Sequence, residues 1–86
     1  MSEIEIFKAL ADPTRLKILE CINNDKEKCI CEVIPYTGKS QPNVSLHLKV
    51  LKQAGLVHER KDGSKIMLSI VDKNVFKLVD LAKKFK

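Results

Sequence analysis

The chain of 86 residues has no apolar stretch approaching 18 residues, which excludes a membrane-spanning helix. Its start, Met1-Ser2-Glu3-Ile4-Glu5, is acidic and lacks the basic-then-apolar order of a signal peptide, so a cytoplasmic setting is the expectation. Glycine and proline are scarce, three of each, and they fall where elements begin or end rather than in a low-complexity tract. Cysteine is scarce and odd in number: Cys21, Cys29 and Cys31 lack the even count and wide spacing of a secreted disulfide scaffold. Reduced thiols, available for metal binding or redox chemistry, fit that pattern better. There is no internal repeat, and no Ser/His/Asp, paired-carboxylate or Gly-rich phosphate-loop pattern to suggest an enzyme. The Cys-x-Cys pair also lacks the Cys-x-x-Cys spacing and strand-then-helix setting of thiol exchange.

What is present reads as one soluble globular domain over residues 1–86, with 44% hydrophobic and 31% charged residues. The net charge of +5 is unevenly placed. Residues 1–38 carry five basic and seven acidic side chains, whereas residues 39–86 carry eleven and four. A domain with its positive charge gathered in one half is built to meet something negative, a nucleic acid or an anionic surface.

Ile4, Ile6, Phe7 and Leu10 recur at near-helical spacing and predict a short helix over residues 3–10. Asp12-Pro13 starts a second helix, running to about Ile22 and burying Leu16, Ile18 and Leu19. Cys29-Ile30-Cys31 reads as an extended lead into a third helix near Glu32–Thr37, with Pro35 tolerated there only in the first turn. Ser40 is a strong N-cap for a fourth helix, carrying Pro42 in its first turn and ending at Ala54-Gly55. The period then switches to two, and Asp62-Gly63 joins two extended runs into a hairpin in which Ile66, Leu68 and Ile70 face inward. Asp72 caps a last helix whose stripe of Val75, Phe76, Leu78, Val79, Leu81, Ala82 and Phe85 is too wide for one intramolecular contact. Part of that stripe is expected to meet another subunit.

Two helices joined by a tight turn, then a capped amphipathic helix and a basic hairpin, describe an α+β fold: a winged helix-turn-helix, mostly helical, with a two-stranded β-hairpin wing. An α-helix fits the DNA major groove and a flanking basic hairpin can track phosphates. On a helical wheel of residues 41–53, Val44, Leu48 and Leu51 share one side, with Pro42, Ser45, Leu46, Lys49 and Gln53 opposite. Gln41 and Asn43, at the end that enters the groove deepest, suit adenine, and Leu46 suits a thymine methyl. With Ser40 as cap, the candidate contacts on this helix are Ser40, Gln41, Asn43, Ser45, Leu46 and Lys49; the competing reading is a merely solvated face. Arg60, Lys61 and Lys65 surround the hairpin tip and are candidate phosphate contacts, against the alternative of a solvated charge cluster. Arg15 and His47 are read as structural, and His58 as a surface or phosphate-adjacent residue. A protein- or RNA-binding module is the rival, disfavoured by the polar groups at Gln41, Asn43 and Ser45.

Four stretches stand out together: Ala9-Leu10-Ala11-Asp12-Pro13-Thr14-Arg15-Leu16-Lys17-Ile18-Leu19, Cys29-Ile30-Cys31-Glu32-Val33, residues 40–51, and Gly55-Leu56-Val57 leading into Arg60-Lys61-Asp62-Gly63. In these the sequence resembles the arsenic-repressor (ArsR–SmtB type) family of metal-sensing transcriptional regulators. The resemblance implies a homodimer through the terminal helices that represses from double-stranded operator DNA, needs no cofactor to bind it, and leaves when an inducer binds. In thiol-sensing members a Cys-x-Cys pair at the start of the third helix takes arsenite, antimonite or a soft divalent metal, and Cys29 and Cys31 match that pair. The chain departs from arsenite sensors in holding Ile34 where a third Cys is common, and from cadmium and lead sensors in lacking N-terminal cysteines. Cys21 is the only spare thiol: a third ligand, or a small buried apolar residue. For the pair itself, a metal or metalloid site, a redox switch and an inert vestige all stand. The last-helix zinc site of other members is rejected, because Asp72 and Asp80 have no His beside them on that helix.

Overall fold

A computed structural model describes residues 2–23 and 25–85. Its elements run α1 (Glu3–Leu10), α2 (Pro13–Asn23), β1 (Lys28–Cys29), α3 (Ile30–Thr37), α4 (Gln41–Gln53), β2 (Val57–Asp62), β3 (Lys65–Ile70) and α5 (Asn74–Lys83). Local chemistry explains most boundaries. Asp12 caps α2, its carboxylate accepting the Arg15 N–H at 3.0 Å, and Pro13 takes the first helical position, where no N–H partner is needed. Ser40 caps α4 by accepting the Asn43 N–H at 3.3 Å. Helix α4 stops in a Schellman motif: Leu56 N–H reaches the Leu51 carbonyl, Gly55 N–H reaches that of Lys52, and Gly55 takes φ +74°. At α5 the N-cap position is Lys73 rather than the expected Asp72, which stands one residue earlier and accepts the Asn74 N–H at 2.8 Å.

Three further local expectations are corrected. Helix α3 begins at Ile30, two residues earlier than read, so Pro35 is its sixth residue rather than part of the first turn. The ring removes the N–H that would bond the Cys31 carbonyl, but both residues lie on the exposed side of α3, where water can meet that oxygen. The hairpin register pairs Asp62 with Lys65, so Gly63-Ser64 forms the turn instead of Asp62-Gly63. Gly63 at φ +61° occupies the first central position, with Ser64 at negative φ, the type II′ pattern that matches strand twist. The sheet also has three strands in the order β1-β3-β2 rather than two, because Lys28 and Cys29 pair with Leu68 and Met67.

The core gathers Ile18, Leu19 and Ile22 of α2, Val33 of α3, Val44, Leu48 and Leu51 of α4, Leu68 of β3 and Val75 of α5. Leu16, expected in it, is only half-buried. The turn between α3 and α4 is fixed from inside. Thr37, the one buried polar residue among those described, donates to the Ile34 carbonyl at 2.8 Å and accepts the Lys39 N–H at 3.2 Å. Gly38, at φ +71°, lets the chain reverse there. The orientation of α4 against α2 and α3 is thereby set by core packing and a satisfied turn.

Candidate nucleic-acid interface and thiol pair

Helix α4 divides as the wheel predicts. Val44, Leu48 and Leu51 are buried, while Gln41, Asn43, Ser45 and Lys49 are exposed and Leu46 is 67% exposed. An apolar side chain left so open on the face opposite the core gains nothing from folding. Ser40 is exposed at the N-terminal end of the same face, beside Lys39. Behind this face, a polar cluster ties α4 to the α1–α2 corner. Arg15 donates from Nε to the Ala9 carbonyl at 2.7 Å and from Nη2 to the Lys8 carbonyl at 3.1 Å. Its Nη1 lies 3.1 Å from His47 Nδ1, within hydrogen-bonding distance of that ring nitrogen. Asp12 stands 3.7 Å from the same nitrogen. Burial pushes the Asp12 carboxyl up, but the Arg15 N–H, then the His47 and Arg15 charges, outweigh it and hold the group below its ordinary value. Arg15 and His47 thus hold the reading helix in place and do not form part of its exposed face.

On the wing, Lys61 and Lys65 are exposed beside the turn. Arg60 is placed differently: its Nε and Nη2 donate to the two carboxylate oxygens of Glu27 at 2.7 and 2.6 Å. That fork holds the Glu27 carboxyl below its ordinary value and raises Arg60. Lys52 of α4 is bound to Glu59 of β2 at 2.8 Å, fastening reading helix to wing. Neither ion pair was visible in the sequence. Glu27 and Arg60 are 33 positions apart and share no local signal, and Lys52 lies across the Gly55 turn from its partner.

The thiols are divided. Cys29 is buried as the N-cap of α3, its sulfur accepting the Cys31 N–H at 3.2 Å, while Cys31 is exposed in the first turn. Contrary to the expectation of reduced thiols, the two sulfurs are joined, the Cα atoms lying 5.1 Å apart, within disulfide reach. Cys21 is buried in α2, and burial pushes its thiol up, against the pull of Lys28. Among the described residues, no three His, Cys, Asp or Glu side chains converge as a metal-binding group, so Cys21 is not brought together with Cys29 and Cys31 as a three-sulfur set.

The terminal helices leave an apolar face open. Ile4 and Phe7 of α1, Leu78 and Leu81 of α5, and Phe85 beyond it are all exposed, Phe85 by 84%. Two apolar clefts, of about 590 and 330 Å³, flank Leu78 on this face. No helix among the described residues is long and apolar enough to cross a membrane.

A capped reading helix with an open polar face, braced from behind and flanked by a basic hairpin, defines a winged helix-turn-helix DNA-binding domain. Residues 12–59 match the family model described as "Bacterial regulatory protein, arsR family". The chain belongs to that family, whose members are DNA-binding transcriptional regulators and not enzymes. It is 47% identical over 79 residues to an HTH-type transcriptional regulator of Methanocaldococcus jannaschii, covering 88% of this chain and 89% of the relative. It is also 47% identical over 77 residues to a probable mercury resistance operon repressor of Streptomyces lividans, covering 90% of this chain but only 61% of that longer protein. Among solved structures, it superposes with a TM-score of 0.82 and 30% identity on a homodimeric winged helix-turn-helix DNA-binding domain from Mycobacterium bovis, over 94% of this chain and 74% of that one.

Proposed function

We propose that the protein is a homodimeric repressor that holds operator DNA through α4 and the wing, and is released when arsenite, antimonite or a soft divalent metal ion binds Cys29 and Cys31. The observation that carries this reading is the position of the pair. Cys29 ends the strand hydrogen-bonded to β3 of the wing, and Cys31 lies in the first turn of the helix that leads, through the Gly38 turn, into α4. An ion held by both thiolates pulls on wing and reading helix together. Thiolates suit such ions because both are polarisable. The similar Streptomyces protein, named as a mercury resistance operon repressor, supports a soft-metal inducer. Two thiolates suffice for a linear divalent ion; a trivalent metalloid needs one ligand more, and Cys21, the remaining thiol, stands apart from the pair. To act as a switch, the ion must favour the DNA-free form by a coupling energy of about 1–3 kcal/mol. The joined sulfurs favour a second reading, in which oxidation of the pair itself is the signal.

The two readings separate in one titration. Reduced protein on a duplex selected from a random pool is challenged with arsenite, antimonite, cadmium, lead, copper(I) and zinc, with a thiol oxidant as a separate arm. Release by an ion, lost in Cys29→Ser/Cys31→Ser, supports ion sensing; release by the oxidant alone supports the redox reading. No release by any ion, or equal release from the double variant, removes the ion-sensing reading and leaves DNA binding standing.

A further inference from the structure

The fork between Glu27 and Arg60 does nothing for the core, since both side chains lie at the surface, 31% and 45% exposed. What it does is occupy a wing cation. Both Arg60 nitrogens that face the carboxylate are engaged, at 2.7 and 2.6 Å, in the parallel two-point geometry with which a guanidinium also grips a phosphate. Asp62, at 4.0 Å, adds a second acidic neighbour. Lys61 and Lys65, on the same hairpin, have no ion-pair partner among the described residues. Glu27 comes from outside the hairpin, from the segment between α2 and β1. Arg60, Met67 and Cys29 form one register row across β2, β3 and β1, so the fork joins the outer strand β2 to the chain entering the opposite strand, with β3 between them.

We propose that Glu27 limits the wing's grip on the DNA backbone by standing in for a phosphate: it holds the Arg60 guanidinium and so withholds one backbone contact from the wing. The proposal rests on the reading of the wing as the phosphate-binding element. Phosphate contacts are blind to sequence and dominate binding to random DNA. Sequence is read from the groove by α4, which Glu27 does not touch. Trimming one backbone contact therefore lowers affinity and salt sensitivity on every sequence alike, without altering what α4 reads.

The test measures binding of wild type, Glu27→Gln, Arg60→Ala and the Glu27→Gln/Arg60→Ala double variant to a random-sequence duplex between 50 and 200 mM salt. Glu27→Gln is expected to bind more tightly at low salt. Its plot of log affinity against log salt should be steeper by about 0.9, an extra loss of about three- to fourfold across that range. Arg60→Ala should match wild type, and Glu27→Gln should have no effect once Arg60 is gone. An unchanged slope in Glu27→Gln, or the same gain with and without Arg60, overturns the proposal; the second outcome marks a general charge effect. Lys61→Ala/Lys65→Ala is run beside them. If it too leaves binding and slope unchanged, the wing reading itself fails and the proposal falls with it. If it flattens the slope while Glu27→Gln does nothing, only the role of Glu27 is lost. Thermal melts of each variant confirm that folded protein is compared.

Discussion

Asp12 joins three tasks in one carboxylate: it caps α2, faces Arg15, and approaches His47 on the reading helix. Its pKa is lower in the folded chain than in the unfolded one. The stabilisation it brings is therefore fully present above the unfolded value and lost as pH falls through the folded one. Asp12→Ala should cost about 1 kcal/mol at neutral pH, read from urea denaturation. The gap from wild type should close as pH drops below the ordinary aspartate value of 3.8. A gap that persists undiminished in acid would show that packing, not the charge, is what the residue contributes. The cap was legible because Asp-Pro before a periodic run is a local signal. The same is true of Ser40 and Gly55. The pairing of Arg15 with His47 was not, because it joins residues 32 positions apart whose meeting depends on how α4 packs against α2. Only the position of His47 at the edge of the apolar stripe hinted that it faces inward.

At the scale of elements, the reading helix and the wing were visible in their periodicity, whereas α3 was legible only over Glu32–Thr37, its start read two residues late. Eight residues with a proline at the sixth offer little periodic signal, and the helix is held there by tertiary packing of Val33 and by the Thr37 turn. At Cys29 an extended lead was legible, but its pairing as strand β1 was hidden, since two residues carry no alternation and form a strand only because β3 offers an edge. The turn between α3 and α4 makes a clean test of how these elements are held. A Cβ at Gly38 would meet nothing within 4 Å, so Gly38→Ala pays only for the left-handed backbone. That cost is about 1–2 kcal/mol, and each kcal/mol lowers the melting temperature of so small a domain by about 4–8 °C. Calorimetry should find that drop, with DNA affinity unchanged below the transition; no drop would mean that the turn relaxes freely. On the wing, Lys61→Ala/Lys65→Ala should flatten the salt dependence by about one unit per lysine removed, on any sequence.

For the whole molecule, the surplus stripe seen in α5 becomes a surface with a definite place. Phe7 and Leu78 line one cleft and Leu78 and Leu81 another, and with Ile4 and Phe85 also exposed on or beside the terminal helices, this apolar surface calls for a partner. In the proposed dimer a second copy of the chain covers it, placing two reading helices on one duplex by two-fold symmetry. Leu81→Glu should then leave a folded monomer by sedimentation, with DNA affinity reduced far more than in any single α4 variant; a dimer that survives the change would put the interface elsewhere. The division of charge between the two halves of the chain also gains a physical meaning, since the basic half contains α4 and the hairpin and the acidic half supplies both Glu27 and the thiols. The central claim is that α4 reads sequence while the wing holds phosphate. Its most direct test is the affinity of Gln41→Ala and of Lys61→Ala/Lys65→Ala for a selected duplex and for random DNA in parallel. Gln41→Ala should lose affinity for the selected duplex alone, by about 1–3 kcal/mol, and the lysine variant should lose affinity equally for both. Equal losses from both variants on both duplexes, or none from either, would contradict this division of labour.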